Sequence, residues 1–374
     1  MAGTQRSRPL RFAVVLLALW LIGNPAMGAD TADHVLPGET CRGYFFVPIT
    51  LQAREGAPDR DRTLWFIYDT GASVSHVDPD SLERASGRRI PTGRRVRITD
   101  ATAGPVTYNA LPARVSELDH LSTALGREID GILGYEAFGD TLVTLDYAAH
   151  EIRLSAGRLP RPDGEHIFDA EGPDSRPWLR VDFADRSRRM LIDSGAALTV
   201  LTLNHLSRYA TQRPPRATGG AVRFDHVEQR EGARLDGIAR MGPHILDAPT
   251  VEETDETELI GGEVMRHFNW TFDPVTDRVR IEPHAAGEPV RFEPVFGHGM
   301  VLVPEGASMR VHAVLADTPA ERAGIRAGDI VTGLNGRPLR ERGCAERPDD
   351  ILIVTLVREG SERDVRLELF ALID

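Results

Sequence analysis

Two tetrapeptides in this 374-residue chain have the composition for acid–base chemistry, Asp69-Thr70-Gly71-Ala72 and Asp193-Ser194-Gly195-Ala196. Each follows an apolar run, Leu64-Trp65-Phe66-Ile67-Tyr68 in one case and Met190-Leu191-Ile192 in the other. A buried strand that ends in a carboxylate and then a glycine delivers that carboxylate into a tight turn, where backbone N–H groups can approach it. One Asp-Thr-Gly alone is what an ordinary Asx turn also writes. Two in equivalent surroundings predict a pair. Carboxylates held close together cannot both ionise, so one keeps a proton and serves as general acid while the other serves as general base. Asp69 and Asp193 are the expected catalytic residues. Thr70 and Ser194 are suited to locking the two turns by hydrogen bonds, and Gly71 and Gly195 give the backbone access.

The surroundings repeat. Asp130-Gly131-Ile132-Leu133-Gly134-Tyr135-Glu136 follows the first motif and Glu258-Leu259-Ile260-Gly261-Gly262-Glu263 follows the second. Glu136 and Glu263, Asp146 and Asp273, and Ile152 and Val279 are each offset by 127 positions, while the two aspartates are offset by 124. Repeats of this length are too long for a solenoid and read as two homologous lobes.

The elements that must position the motifs are mainly strands. Tyr44–Leu51, Leu64–Tyr68, Arg95–Thr99, Leu142–Leu145, Trp178–Phe183 and Arg189–Ile192 are rich in Val, Ile, Phe and Thr and are bounded by Gly, Pro and Asp. Short helices are expected at Pro79–Ser86, with Asp78 as N-cap, and at Leu203–Tyr209. Polar hairpins are expected at 99–105 and 219–232, between each motif and its later glycine segment. The predicted organisation is a leader at 1–28, a first lobe at 29–158, a second lobe at 159–284 and a further domain at 285–374, mainly β throughout.

The start of the chain has the form of a secretory signal. Arg6, Arg8 and Arg11 precede the apolar run Phe12–Ile22, and Ala26-Met27-Gly28 supplies small residues at a cleavage site. A retained anchor is the alternative, disfavoured because the run is shorter than a spanning helix needs. The expected mature protein has no stable membrane span and lies in a bacterial periplasm. The chain has a formal net charge of −12, and −15 without the three leader arginines. That balance argues against nucleic-acid partners. Cys41 and Cys344 are too few for a disulfide framework, and a bridge across the predicted domains is the less favoured alternative. No His-Glu-x-x-His or paired-Cys spacing points to a metal, and no cofactor is expected.

Asp69-Thr70-Gly71-Ala72-Ser73 with Ile132-Leu133-Gly134, and Asp193-Ser194-Gly195-Ala196 with Leu259-Ile260-Gly261, resemble the retropepsin-like bacterial aspartic peptidases in which two lobes are fused. The resemblance implies two acid-protease-like β lobes with the active site between them. It also implies an aspartic-type endopeptidase that hydrolyses peptide or unfolded protein through activated water, with the hairpins as flaps. The last 85 or so residues are similar to a PDZ domain: Gly297-His298-Gly299-Met300 stands where a carboxylate-binding loop is expected, ahead of Thr318-Pro-Ala and Ala323-Gly-Ile. His298 departs from a position that is usually apolar. This likeness implies capture of protein C-termini. A catalytically inactive peptide-binding scaffold is the alternative. A trypsin-like reading of Asp193-Ser194-Gly195 with His150 is disfavoured, because Ile192 stands where that motif has Gly and His150 lies too near Ser194 in the chain.

Overall fold

The computed structural model describes residues 26–27, 33–52, 62–222, 227–344 and 350–374, so almost all of the expected leader lies outside the described residues. The architecture is mainly β, as expected.

In the first lobe, β1 (Tyr44–Leu51) runs antiparallel to β2 (Thr63–Asp69). β2 buries Leu64, Phe66, Ile67 and Tyr68 before releasing Asp69 at its end. After β3 (Ser75–Val77) comes α1 (Pro79–Ser86), where the Asp78 carboxylate accepts from the N–H groups of Asp80 and Ser81. Gly87 closes it at φ 67°, so this helix forms as its cap, first-turn proline and closing glycine dictate. β4 (Leu111–Val115), α2 (Asp119–Leu125) and β5 (Gly131–Gly134) complete the frame around the turn. β5 lies parallel to β2, with Ile132 opposite Ile67 and Gly134 opposite Asp69, and β3 lies parallel to β4.

After the central strand β6 (Leu142–Asp146), the second lobe repeats the plan. β7 (Ser187–Ile192) carries the second motif. β8 (Leu201–Leu203) follows, then the hairpin of β9 (Arg216–Val222) and β10 (Val227–Arg234). β11 (Thr250–Glu253) lies parallel to β8, and β12 (Leu259–Ile260) lies parallel to β7 with Ile260 opposite Ile192. The helix expected at Leu203–Tyr209 is absent. His205 takes a left-handed φ of 56°, and only a 3-10 turn forms over Leu206–Arg208. The Asn204 amide is held by the carbonyls of Thr254 and Glu256, which fixes the chain in a turn where a helix would have to continue.

A six-stranded sheet joins the lobes, with β6 paired antiparallel to β13 (Phe268–Asp273). Thr144 lies opposite Thr271, and their hydroxyls are 2.9 Å apart. These residues are offset by the same 127 positions as the repeat, so the pseudo-two-fold axis passes between them. One apolar core continues through both lobes by way of Val143, Leu145, Phe268, Trp270 and Phe272.

Beyond residue 290 a separate core forms around Val311, Val331, Val354, Leu356 and Leu367. Its main sheet runs in the order β14 (Met300–Glu305), β15 (Ser308–Val314), β16 (Ile330–Leu334), β17 (Ile351–Arg358) and β18 (Ser361–Glu368). β19 (Phe370–Ile373) pairs with Val295–Gly297. Pro319 opens α3 (Pro319–Arg322), but the Thr318 hydroxyl donates backward to the Leu315 carbonyl and does not cap it. Cys41 and Cys344 are joined in a disulfide with Cα atoms 4.8 Å apart. This corrects the expectation from sequence: the last domain packs against the first lobe, which brings the two cysteines together.

Trp270 is fully buried at the seam, and its Nε1–H donates to the Met265 carbonyl at 2.9 Å. Trp270→Ala should cost about 3–5 kcal/mol in urea unfolding. A loss below about 1 kcal/mol would show that the seam is not a packed core.

Candidate active site between the lobes

The two motif turns meet. The backbone N–H of Thr70 donates to Ser194 Oγ at 3.0 Å, and the N–H of Ser194 donates to Thr70 Oγ1 at 2.9 Å. Each hydroxyl then donates onward, Thr70 to the Ile192 carbonyl at 2.7 Å and Ser194 to the Tyr68 carbonyl at 3.0 Å. Thr70 and Ser194 are buried, so these bonds are shielded from water.

The turns place Asp69 and Asp193 against each other. A Cβ on Gly71 would stand 2.4 Å from Asp193 Oδ1, and one on Gly195 would stand 2.5 Å from Asp69 Oδ1. No side chain fits at either position while the carboxylates stay where they are. The Gly71 N–H donates to Asp69 Oδ1 at 2.8 Å. The later glycine segments close over the turns in matching fashion, through Tyr135 N to Ala72 O at 2.9 Å and Gly262 N to Ala196 O at 3.0 Å.

Burial and the neighbouring Asp193 carboxylate hold the Asp69 pKa well above the ordinary carboxylate value, with the Gly71 N–H pulling the other way. Tyr44, half-buried in the cleft lining, faces both aspartates, and its phenol is pushed up to about 12 by desolvation first and then by their charge. The pair therefore holds a proton over a range in which isolated carboxylates are ionised. Such a pair can give a proton to one atom of a bound molecule and accept one from another.

The pair lies in a cleft of about 690 Å³. β2, β3 and α2 supply one wall through Ile67, His76, Leu121, Ala124 and Leu125, and the β9–β10 hairpin and β11 supply the other through Thr218, Gly219, Gly220, Arg230 and Glu252. Arg230 is buried and paired with Glu252 at 2.8 Å. Val74 and Leu198, each five positions after its aspartate, line the cleft with 53% and 59% of their surface exposed. Arg176 reaches from the second lobe to the Gly71 carbonyl at 2.8 Å while its guanidinium is held by Asp174.

All six residues expected at the pair are together: Asp69, Thr70, Gly71, Asp193, Ser194 and Gly195. The two hairpins divide. The one at 219–232 falls within β9–β10 and lines the cleft. The one at 99–105 forms strands Ala101–Ala103 and Val106–Tyr108, buries Ala101, Ala103, Val106 and Tyr108, and pairs with β1 away from the cleft. Pairing with β1 buries its two alanines while Thr99, Asp100 and Gly104 stay exposed. Ser194 and His150 do not meet: the Ser194 hydroxyl is committed between the turns, and His150 lies at an exposed position beside Thr40 Oγ1. Sequence reasoning missed Tyr44, Arg176, Arg230 and the Val74/Leu198 pair. The repeat offset of 124 was the available signal for Val74 and Leu198. Among the described residues, no group of three or more His, Cys, Asp or Glu is placed to hold a metal.

In the last domain, Gly297, His298, Gly299 and Met300 form the connection from Val295–Gly297 into β14. Gly299 is left-handed at φ 89°, and its carbonyl accepts from Leu315 N at 2.8 Å. The His298 carbonyl accepts from Ala320 N at 3.0 Å, and its Nδ1 lies 3.1 Å from the Glu368 carbonyl. Burial lowers the His298 pKa.

Residues 310–352 match the PDZ domain family. A 60-residue stretch in this region is 43% identical to a protein of Rhizobium meliloti (strain 1021) named a probable periplasmic serine endoprotease DegP-like. The match covers 14% of this chain and 12% of that protein, so the chain shares only a small part of the relative's length. This finding corrects the expected activity. The relative is named a serine endoprotease and its likeness to this chain is a PDZ region, so aspartic-type endopeptidase activity is not assigned. No helix among the described residues is long and apolar enough to cross a membrane.

The raised Asp69 pKa has a consequence for stability. The folded state holds a proton that the unfolded chain releases near the ordinary value of 3.8, so this group's contribution falls as pH rises from there toward its folded pKa. Asp69→Asn removes this titrating group. The variant should therefore melt higher than the parent at neutral pH, and its melting temperature should depend less on pH between about 4 and 7. A variant that melts lower at neutral pH would contradict the desolvation argument.

Proposed function

We propose that this protein handles polypeptides in the bacterial periplasm. Its PDZ domain takes a protein or peptide C-terminus near Gly297–Met300, and the cleft between the lobes takes an extended chain. The reading is supported most directly by the PDZ match at residues 310–352. The periplasmic relative and the leader-like Arg6–Gly28 segment support the compartment. In the cleft, Asp69 and Asp193 act as a proton-sharing pair toward whatever is bound. The neutral carboxyl donates to a carbonyl or water and the ionised one accepts from an N–H or water. Thr70, Gly71, Ser194 and Gly195 hold the pair, while Val74 and Leu198 offer apolar contact on either side of it.

Binding of a fluorescent extended peptide, followed by anisotropy across pH, tests this reading. Affinity should fall at the alkaline end as the shared proton is lost, and Asp193→Asn should remove that limb and weaken binding about tenfold. An unchanged pH profile in Asp193→Asn would sink the role given to the pair. In the PDZ domain, a peptide with a free C-terminal carboxylate should bind more tightly than its amidated form. Equal affinity would exclude carboxylate capture.

Proteolysis of the serine type is a second reading, favoured by the DegP-like relative. Ser194 is excluded as its nucleophile by the hydrogen bonds that commit its hydroxyl. Degradation of unfolded casein that a serine-directed sulfonyl fluoride abolishes would support this reading. Degradation untouched by the reagent would reject it.

A further inference from the structure

The PDZ domain sits on both walls of the cleft through a single strand. β14 ends the domain's main sheet, with β15 as its partner, and follows directly on the Gly297–Met300 loop. Such an edge is where an incoming peptide adds as a strand. Here it is already attended. α2 packs against β14 and against the 3-10 turn Leu339–Glu341, and β9 packs against β14 as well.

These contacts take up both sides of the strand. Ala124 of α2 packs into the cluster that includes Met300 and Leu302, while Ala217 of β9 packs into the cluster of Val301, Leu315 and Leu372. Polar contacts fix the seating. Thr123 Oγ1 donates to the Gly306 carbonyl at 2.9 Å, and Arg342 donates to the carbonyls of Thr123 at 3.0 Å and Ala124 at 2.6 Å. Arg340 pairs with Asp119 at 3.0 Å, and the Arg216 guanidinium lies 5.5 Å from the Phe370 ring centre. The Cys41–Cys344 bridge ties the same PDZ segment to the strand Glu39–Cys41, which pairs with β1. α2 and β9 are also the elements that wall the cleft.

We propose that α2 and β9 occupy the peptide groove of the PDZ domain in cis, making the domain a latch over the cleft that a protein C-terminus competes to open. A peptide seated along β14 displaces the two elements that enclose Asp69 and Asp193, so capture at one site loosens the other. The latch lowers the domain's affinity by the fraction of molecules in which the groove is free. This inference rests on the reading of the PDZ region as a C-terminus binder.

Hydrogen exchange on the full chain tests it, with a fluorescein-labelled peptide ending in valine and a free carboxylate as probe. The released variant is Cys41→Ser/Cys344→Ser/Arg342→Ala, and Arg342→Ala with the bridge intact keeps the covalent frame. Without peptide, amide exchange at 119–125 and 216–222 should be about fivefold faster or more in the released variant than in the parent. Arg342→Ala alone should show a smaller change in the same direction. The released variant should bind the probe about tenfold more tightly, and saturating probe should accelerate exchange at both segments in the parent. Probe binding that leaves both segments unchanged in the parent would overturn the latch alone. Failure of the released variant to bind the probe would overturn the C-terminus reading along with it.

Discussion

The reciprocal bonds between Thr70 and Ser194 are the constraint on which the molecule depends. Each residue offers one backbone donor and one hydroxyl, and each hydroxyl accepts across the interface before donating to the opposite strand. The ring is closed and buried, so losing either hydroxyl strands donors and acceptors on both turns. Only residues with a small hydroxyl can fill these places. The bonds also fix how the lobes meet, because the turns end β2 and β7, the strands that carry the core of each lobe.

What the ring holds in place is electrostatically costly. Two half-buried carboxylates face each other in the cleft, with glycines behind them and a tyrosine beside them. Fold stability and site chemistry are opposed here, since the arrangement is tolerated best when a proton is shared. The seam sheet bears the cost. Trp270, Phe268 and Phe272 bury extensive apolar surface next to the Thr144–Thr271 contact, so the lobes are joined by a common core and not by the turns alone.

The third unit changes how the other two are understood. Its match to the PDZ family covers 43 residues, 310–352, yet it contacts both lobes, and its bridge spans 303 residues of chain. A domain docked in this way is part of the architecture of the cleft. Its likeness to a region of a periplasmic serine endoprotease concerns that unit, whereas the carboxylate pair belongs to the lobes.

The sequence by itself determined most strands, the first helix and the duplication of the motifs. Local signals were sufficient for α1, whose cap, first-turn proline and closing glycine are all written within ten residues. The 127-residue offset marked two homologous lobes, whereas the pairing of their corresponding strands β6 and β13 in one sheet emerged only in the structure. Placement of the rest was decided by tertiary structure. Hairpin 99–105 carries polar ends like a surface loop, yet its alanines are buried because β1 was there to pair with it. The Leu203–Tyr209 helix gave way to side-chain bonds from Asn204 to the segment just after β11, some 50 residues further on. Tyr44, Arg176 and the Cys41–Cys344 bridge carry no pattern that marks them, since their roles come from neighbours distant in the chain. Periodicity and capping are read from adjacent residues, whereas burial, charge proximity and domain docking exist only once the chain has closed on itself.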